Sequence, residues 1–306
     1  MGRAGTPRRA RRLVTCSGFV AVAGRPNVGK STLVNSIVGG KVAIVSDRPQ
    51  TTRRAIRGVR SSRDWQLVLV DLPGVQRPRD ALTERMARRV DYELEGSDAA
   101  LLILNGEQGV GAGDRFIAHA LAGSAVPVVI AVNKVDRLRR AQVASALQQA
   151  AELGVGQDIF PISARTGSGM EALVTHLAAL MPEGPFMFDP RAVSDQPRAV
   201  LLAELVREAV IRRTFHEVPH AVEVVIEDVD ESRDDLARVR ALVWVETDSQ
   251  KGILIGSGGR MIKAIGIAAR RELERELGRQ VHLDLSVRVR PHWRADESLL
   301  DRLGIE

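Results

Sequence analysis

Between residues 18 and 163, short runs of apolar, β-branched residues alternate with stretches whose apolar positions recur every three to four residues. The strand candidates are GFVAVAG (18–24), WQLVLVD (65–71), AALLILN (99–105), PVVIAVN (127–133) and DIFPIS (158–163). They are apolar on both faces, so each face must be covered by helices, and the alternation predicts an α/β fold with a mainly parallel sheet. Such sheets bind ligands at the carboxyl ends of their strands. Pro182, Pro185, Pro190 and Pro197, with Gly184, break any regular element and read as a linker over 182–197. Beyond it the pattern predicts a helix (198–213), two strands (221–228 and 238–247), a glycine loop (256–259), a helix reaching 277 and a strand (281–290). That is a second, smaller α+β domain over 198–306, after a first domain over 17–181. Residues 1–16 form a basic lead-in whose first twelve residues lack hydrophobic periodicity and read as disordered.

Composition agrees with two domains. The 306 residues are 44% hydrophobic and 27% charged, and folded domains run to roughly 100–200 residues each. No uninterrupted apolar run approaches the ~20 residues of a membrane-spanning helix. The one cysteine, Cys16, excludes an internal disulfide and a cysteine-built zinc site. The net charge of +6 is uneven. Residues 1–12 carry five arginines and no acid, and residues 251–295 carry ten Lys or Arg against four acids. Basic ends on a near-neutral body are a footprint for a polyanion, either nucleic acid or an anionic membrane surface.

Residues 24–31 read GRPNVGKS, the pattern G-x-x-x-x-G-K-[ST], between a predicted strand and a predicted helix. Glycines at 24 and 29 let the backbone of Gly24, Arg25, Pro26, Asn27, Val28 and Gly29 wrap a phosphate, and the helix start that reaches Thr32 adds its positive end. Lys30 is placed to reach the β- and γ-phosphates, and the Ser31 hydroxyl to ligate Mg²⁺. Asp71, Leu72, Pro73 and Gly74 end another strand. The Asp71 carboxylate there can hold Mg²⁺ through water, and the Gly74 N–H can meet the γ-phosphate. Asn133, Lys134 and Asp136 follow PVVIAV, and Ser163 with Ala164 follows DIFPI. Asp136 can accept from both N1–H and the exocyclic amine of guanine, and each such charge-assisted bond contributes roughly 1.5–3 kcal/mol. Adenine offers neither donor in that geometry, so the nucleotide is read as GTP rather than ATP. Lys134 lies along base and ribose, Asn133 braces the loop, and the Ala164 N–H donates to guanine O6 in this reading.

These motifs, in this order, resemble the translation-factor-related GTPases, which implies a Ras-like P-loop fold. In that class a switch-loop threonine caps Mg²⁺, and SDRPQTTRR offers both Thr51 and Thr52. Val75 stands where Ras-like enzymes place a water-orienting Gln, which implies slow intrinsic hydrolysis and a further assisting group. Asn27 resembles the asparagine that ligates K⁺ in potassium-activated relatives; its alternative role is bracing the loop. The catalytic set implied is Lys30, Asn27 and Gly74.

Residues 251–266 read KGILIGSGGRMIKAIG. Gly256, Ser257, Gly258 and Gly259 form a G-x-x-G loop that opens a helix carrying Arg260 and Lys263, and glycines there let a nucleic-acid backbone approach. With Lys251 and Ile255 these form the candidate RNA surface. The element order α-β-β-α-α-β resembles a type II KH domain. The chain has only ten aromatics, so Phe215, Trp244 and Trp293 are read as core or hinge residues rather than base stackers. His216, His220, His282 and His292 show no metal-ligand spacing.

From about residue 17 onward, GRPNVGKSTLVN, RPQTTR, DLPG, NKVD, HEVPH and VHLDLSVRVRPHW are similar to the bacterial Era family of GTPases. Leu72 departs from that family, which usually has a Thr there. The resemblance implies hydrolysis of GTP to GDP, binding of the 3′ end of 16S ribosomal RNA during maturation of the 30S subunit, and an RNA-bound form favoured by GTP. It also implies a cytoplasmic monomer able to associate peripherally with the inner membrane. Two other readings are a non-catalytic RNA-binding protein with GTP as a structural ligand, and a membrane-linked signalling GTPase.

Overall fold

The computed structural model describes residues 15–45, 53–73, 81–156, 158–215 and 218–305. Thr51, Thr52, Gly74, Val75 and His216 lie outside them, as does the basic segment 1–12. The apolar runs form strands β1 (Cys16–Ala23), β2 (Ile56–Ser61), β3 (Trp65–Asp71), β4 (Ala99–Asn105), β5 (Val128–Asn133) and β6 (Asp158–Pro161). They make one sheet in the order β2-β3-β1-β4-β5-β6, parallel except for β2, which pairs antiparallel with β3. Helices α1 (Lys30–Val38), α2 (Ala81–Glu95), α3 (Ala112–Ala122), α4 (Arg140–Ala151) and α5 (Met170–Ala179) cover it.

Alternation along the strands sends side chains to opposite layers. Val20, Val22, Leu101, Ile103 and Ala131 pack with Leu33 and Ile37 of α1 and Leu173 and Leu177 of α5. Leu102, Leu104, Ile130 and Val132 pack with Ile117 and Leu121 of α3 and Ala146 and Ala150 of α4. Strands apolar on both faces therefore sit in the middle of three layers, as the sequence predicts.

Strand β2 was not expected. IRGVRS carries two arginines and a glycine, so its hydrophobic signal is weak. Gly58 is needed there because a Cβ would fall 2.8 Å from Val38 and 2.9 Å from Val34. The proline-rich stretch runs beside it: the Val59 N–H donates to Val193 O, Ser194 Oγ to Arg57 O, and Gln66 Nε2 to Phe188 O.

The second unit contains α6 (Arg198–Ile211), the short α7 (Val218–Ala221), β7 (Glu223–Asp230), β8 (Leu236–Val245), α8 (Asp248–Ile255), α9 (Arg260–Leu277), β9 (Gln280–Val289) and α10 (Glu297–Arg302). Its sheet runs β7-β8-β9, antiparallel then parallel. One face of the sheet packs on α6 and α9 through Leu202, Val206, Val239, Val243, Ile265 and Leu273. Phe215, expected in a core or hinge, is instead 60% exposed just past the end of α6. Trp244 is half-buried under the Arg290 guanidinium, 5.0 Å from its ring centre.

The residues after β9 join the two units. Trp293, Leu299, Leu300, Leu303 and Ile305 are buried against Leu82 and Met86 of α2 and against Val225 and Trp244 of the small sheet. Each such leucine, fully buried, contributes about 1.5–3 kcal/mol. Arg53, directly after the two switch-loop threonines, is buried: its Nη1 donates to Val222 O (2.6 Å) and Glu223 Oε2 (2.7 Å), and its guanidinium lies 5.3 Å from the Trp293 ring centre. Arg54 pairs with Glu204 and Glu223 and donates to Leu303 O, and Arg207 pairs with Glu204. Burial alone would raise the Glu223 pKa, but Arg54, Arg53 and Arg207 outweigh it and hold the carboxylate at about 2.

Candidate functional site

The loop between β1 and α1 departs from regular structure where the glycines allow it. Gly24 has φ +152°, and a Cβ on it would lie 2.6 Å from Ile103 O; Gly29 has φ +105°, and its Cβ would lie 2.4 Å from Asn133 Nδ2. A side chain at either position would push the loop off its neighbours. Val28 is buried, whereas Asn27, at φ +64°, is exposed at the crest between Pro26 and Val28. Lys30 is buried under the loop, where its Nζ donates to the carbonyls of Gly24 (3.0 Å) and Arg25 (3.1 Å). Burial pushes its pKa below the ordinary lysine value, opposed by Asp71. Thr32 continues α1 on the partly exposed side.

Ser31 Oγ donates to Asp71 Oδ2 at 2.7 Å, bringing together the last residue of one motif and the first of another, forty positions apart. Leu72 and Pro73, which follow Asp71, are both buried. A hydroxyl and a carboxylate at the open end of β3 and the start of α1 form a hard-oxygen pair that suits Mg²⁺, a cation that keeps waters and phosphate oxygens among its six ligands.

The end expected to read the base is organised by Asn133. Its Nδ2 donates to Val28 O (2.9 Å), while its Oδ1 accepts from the N–H groups of Lys134 (2.8 Å) and Ala164 (3.0 Å). One buried amide thus ties the phosphate loop to the strand ends of β5 and β6. The Ala164 N–H, expected to face guanine O6, is here bonded to Asn133. Lys134, at φ +67°, sends its Nζ to Asn27 O at 2.9 Å. Asp136 accepts from Ser163 Oγ (2.6 Å) and Arg165 Nη2 (2.6 Å). The Ser163 hydroxyl first, and Arg165 with it, hold its pKa below the usual carboxylate range against the opposing effect of burial, so it stays an acceptor at neutral pH. Arg165 was not singled out from the sequence, although it directly follows Ser163 and Ala164.

Asp136→Asn presents a donor where a carboxylate accepts. It is expected to shift base preference from guanine to xanthine by at least about tenfold, the worth of one charge-assisted bond. Competition between GTP and XTP for the site checks this, and an unchanged preference would contradict the base-reading role.

In the second unit Gly256, Gly258 and Gly259 have φ +70°, +59° and +75°. A Cβ on Gly256 would lie 2.7 Å from Met261 Cβ, whereas beside Gly258 there is open space. The loop is held from within, as Arg260 Nε donates to Ser257 O at 3.2 Å. Its outer face is open, with Ser257, Gly258, Arg260, Lys263 and Ile255 exposed and Lys251 half-buried. Phosphate can therefore approach the start of α9 and its cations.

Residues 19–134 match a family described as 50S ribosome-binding GTPase, and residues 217–294 match the KH domain family. The chain is 44% identical over 293 residues to the GTPase Era of Mycolicibacterium paratuberculosis, covering 94% of this chain and 98% of that one. It is 44% identical over 294 residues to the GTPase Era of Mycobacterium tuberculosis. A crystal structure of Era in complex with MgGDPNP and nucleotides 1506–1542 of 16S ribosomal RNA aligns with a TM-score of 0.89 at 32% identity, covering 95% of this chain and 99% of that one. A point variant of Aquifex aeolicus Era bound to GDP·AlF4⁻ aligns equally well. The phosphate-loop motif, the strand ends tied by Asn133 and the G-x-x-G unit thus lie on one chain with these relatives, and the chain belongs to the Era family of GTPases, which hydrolyse GTP with the help of a divalent metal ion.

Proposed function

We propose that this chain is a GTP-driven RNA-binding switch that takes the 3′ end of 16S ribosomal RNA on its KH unit and assists maturation of the 30S subunit. Residues 17–181 hold the nucleotide, 182–197 connect, and 198–306 bind RNA. The observation that carries the reading is the Asn133 amide, which joins phosphate loop, base-reading strand and Ala164 in one site. The relative solved with 16S nucleotides and a GTP analogue supports the choice of RNA. The protein works as a cytoplasmic monomer, with peripheral association at the inner membrane through its basic ends.

In this reading Lys30 and the loop amides bind the phosphates, Gly74 donates to the γ-phosphate, and Asp136 fixes the base. Mg²⁺ is held by Ser31, by Asp71 through water, and by Thr51 or Thr52. It neutralises charge between the β- and γ-phosphates. Val75 offers no polar group to the attacking water, so the intrinsic rate is slow. Asn27 would hold K⁺, which would supply positive charge where it develops. Asn27→Ala is expected to lower turnover in K⁺ to the level seen in Na⁺ with little change in GTP affinity. Equal parent turnover in the two salts at matched ionic strength would remove K⁺ from the mechanism.

The RNA role is tested by Gly258→Asp/Gly259→Asp. Two carboxylates on the open loop face, one at φ +59° and one at φ +75°, are expected to weaken binding of a 16S 3′-end oligonucleotide by at least ~100-fold, because each opposes phosphate where the parent offers bare backbone. Basal GTP turnover is expected to persist. Unchanged affinity in a gel-shift titration would place the RNA elsewhere.

A further inference from the structure

The phosphate loop has an anchor outside every motif described above. The Arg25 side chain leaves the loop and lies across the first turn of α3. Its Nε is 2.8 Å from Asp114 Oδ2, and the Asp114 side chain is 0% exposed. Its Nη2 donates to Gln108 Oε1 at 3.4 Å. Its aliphatic stem crosses Gly113, where a Cβ would lie 2.7 Å from Arg25 Cδ, so the helix start is shaped around it. Meanwhile the Arg25 carbonyl is one of the two that accept from Lys30 Nζ. A continuous path therefore runs from a buried carboxylate on α3, through Arg25, to the lysine under the phosphate site.

Asp114 also accepts the Gly111 N–H at 2.9 Å, a capping role. A cap needs only an oxygen acceptor, which Asn provides nearly as well as Asp. A fully buried negative charge is costly unless a cation meets it, and the cation here belongs to the phosphate loop. The start of α3 adds a favourable field for that charge.

We propose that Asp114 is a positioning residue for GTP hydrolysis, which fixes the phosphate loop and Lys30 through its ion pair with Arg25. The inference rests on reading Gly24–Ser31 as the phosphate loop. A loop released from α3 samples geometries in which its amides and Lys30 no longer converge, so nucleotide leaves faster and the transition state is held less well.

The test uses the full-length chain and the variants Asp114→Asn, Asp114→Ala, Arg25→Ala and Asp114→Ala/Arg25→Ala. The readouts are the dissociation rate of a fluorescent GDP, kcat/KM for GTP, and the thermal midpoint. Asp114→Asn and Asp114→Ala are both expected to raise the dissociation rate and lower kcat/KM by about tenfold, the worth of a charge-assisted pair. The double variant is expected to match Arg25→Ala within about twofold, because both substitutions cut the same link. If Asp114→Asn restores parent rates, Asp114 is a helix cap only. Additive effects in the double variant would likewise overturn the proposal. If Asp114→Ala does not fold, the Asn and Arg25→Ala variants decide it. Failure of the phosphate-loop reading itself shows separately, as unchanged nucleotide affinity in Lys30→Ala.

Discussion

Lys30→Ala is expected to lower GTP turnover by at least ~10³-fold while leaving the RNA affinity of the KH unit within about twofold. The size follows from what one amine does there. In the proposed site it makes charge-assisted contacts to two phosphates, each worth roughly 1.5–3 kcal/mol, and these strengthen as charge grows on the bridging oxygen. Alanine also leaves the Gly24 and Arg25 carbonyls without their Nζ partner, so the loop loses an internal brace as well. The KH loop is spared because α9 and the G-x-x-G turn have their own core around Ile265 and Leu273. Single-turnover hydrolysis and RNA titration on the same preparation check both halves. Hydrolysis at the parent rate would mean that the phosphates bind elsewhere.

The second large effect concerns stability. Glu223→Gln is expected to cost about 3–5 kcal/mol, because it takes the carboxylate from Arg53 and leaves Arg54 and Arg207 to share Glu204 in a buried network built to be met by two carboxylates. The cost carries a pH signature. The Glu223 pKa falls from 4.5 to about 2 on folding, so its contribution is fully present above pH 4.5 and is lost as pH falls through 2. Denaturant unfolding of parent and variant should show a constant gap from pH 7 to about 5 that closes toward pH 2. A gap that does not change with pH would mean that shape rather than charge accounts for it. Replacing Arg53 and Glu223 together by methionine should recover most of the loss, since an apolar pair of similar size avoids the desolvation cost.

The parallel strands were legible because β1, β3, β4 and β5 are apolar on both faces, a pattern that only a covered sheet accommodates. The loops that carry the expected nucleotide residues were legible because each motif fixes a short stretch of backbone at a strand end. Strand β2 was hidden because Arg57 and Gly58 meet partners, Glu93 and Asp195 for the one and the valines of α1 for the other, rather than following a strand's own periodicity. The clasp after β9 was hidden for a related reason. Helix α10 has six residues, too few for a period to show, and Leu299, Leu300, Leu303 and Ile305 find their core in α2, more than two hundred positions away, and on the small sheet. Arg53 sits in the stretch SDRPQTTRR with no motif of its own, although its side chain is fully enclosed where the two units meet. Pairs such as Arg25 with Asp114 join positions whose spacing carries no motif, so only the folded sheet brings them together.

Coupling of nucleotide and RNA on one chain is measured most directly by RNA affinity in two nucleotide states. Fluorescence anisotropy with an oligonucleotide spanning the 3′ end of 16S ribosomal RNA, in Mg²⁺ and K⁺, is read once with a non-hydrolysable GTP analogue and once with GDP. Tighter binding by at least about fivefold with the analogue is predicted, the lower end of ordinary coupling between sites, and a scrambled oligonucleotide should bind weakly in both states. Equal affinity in the two states, or equal affinity for the scrambled RNA, would contradict it.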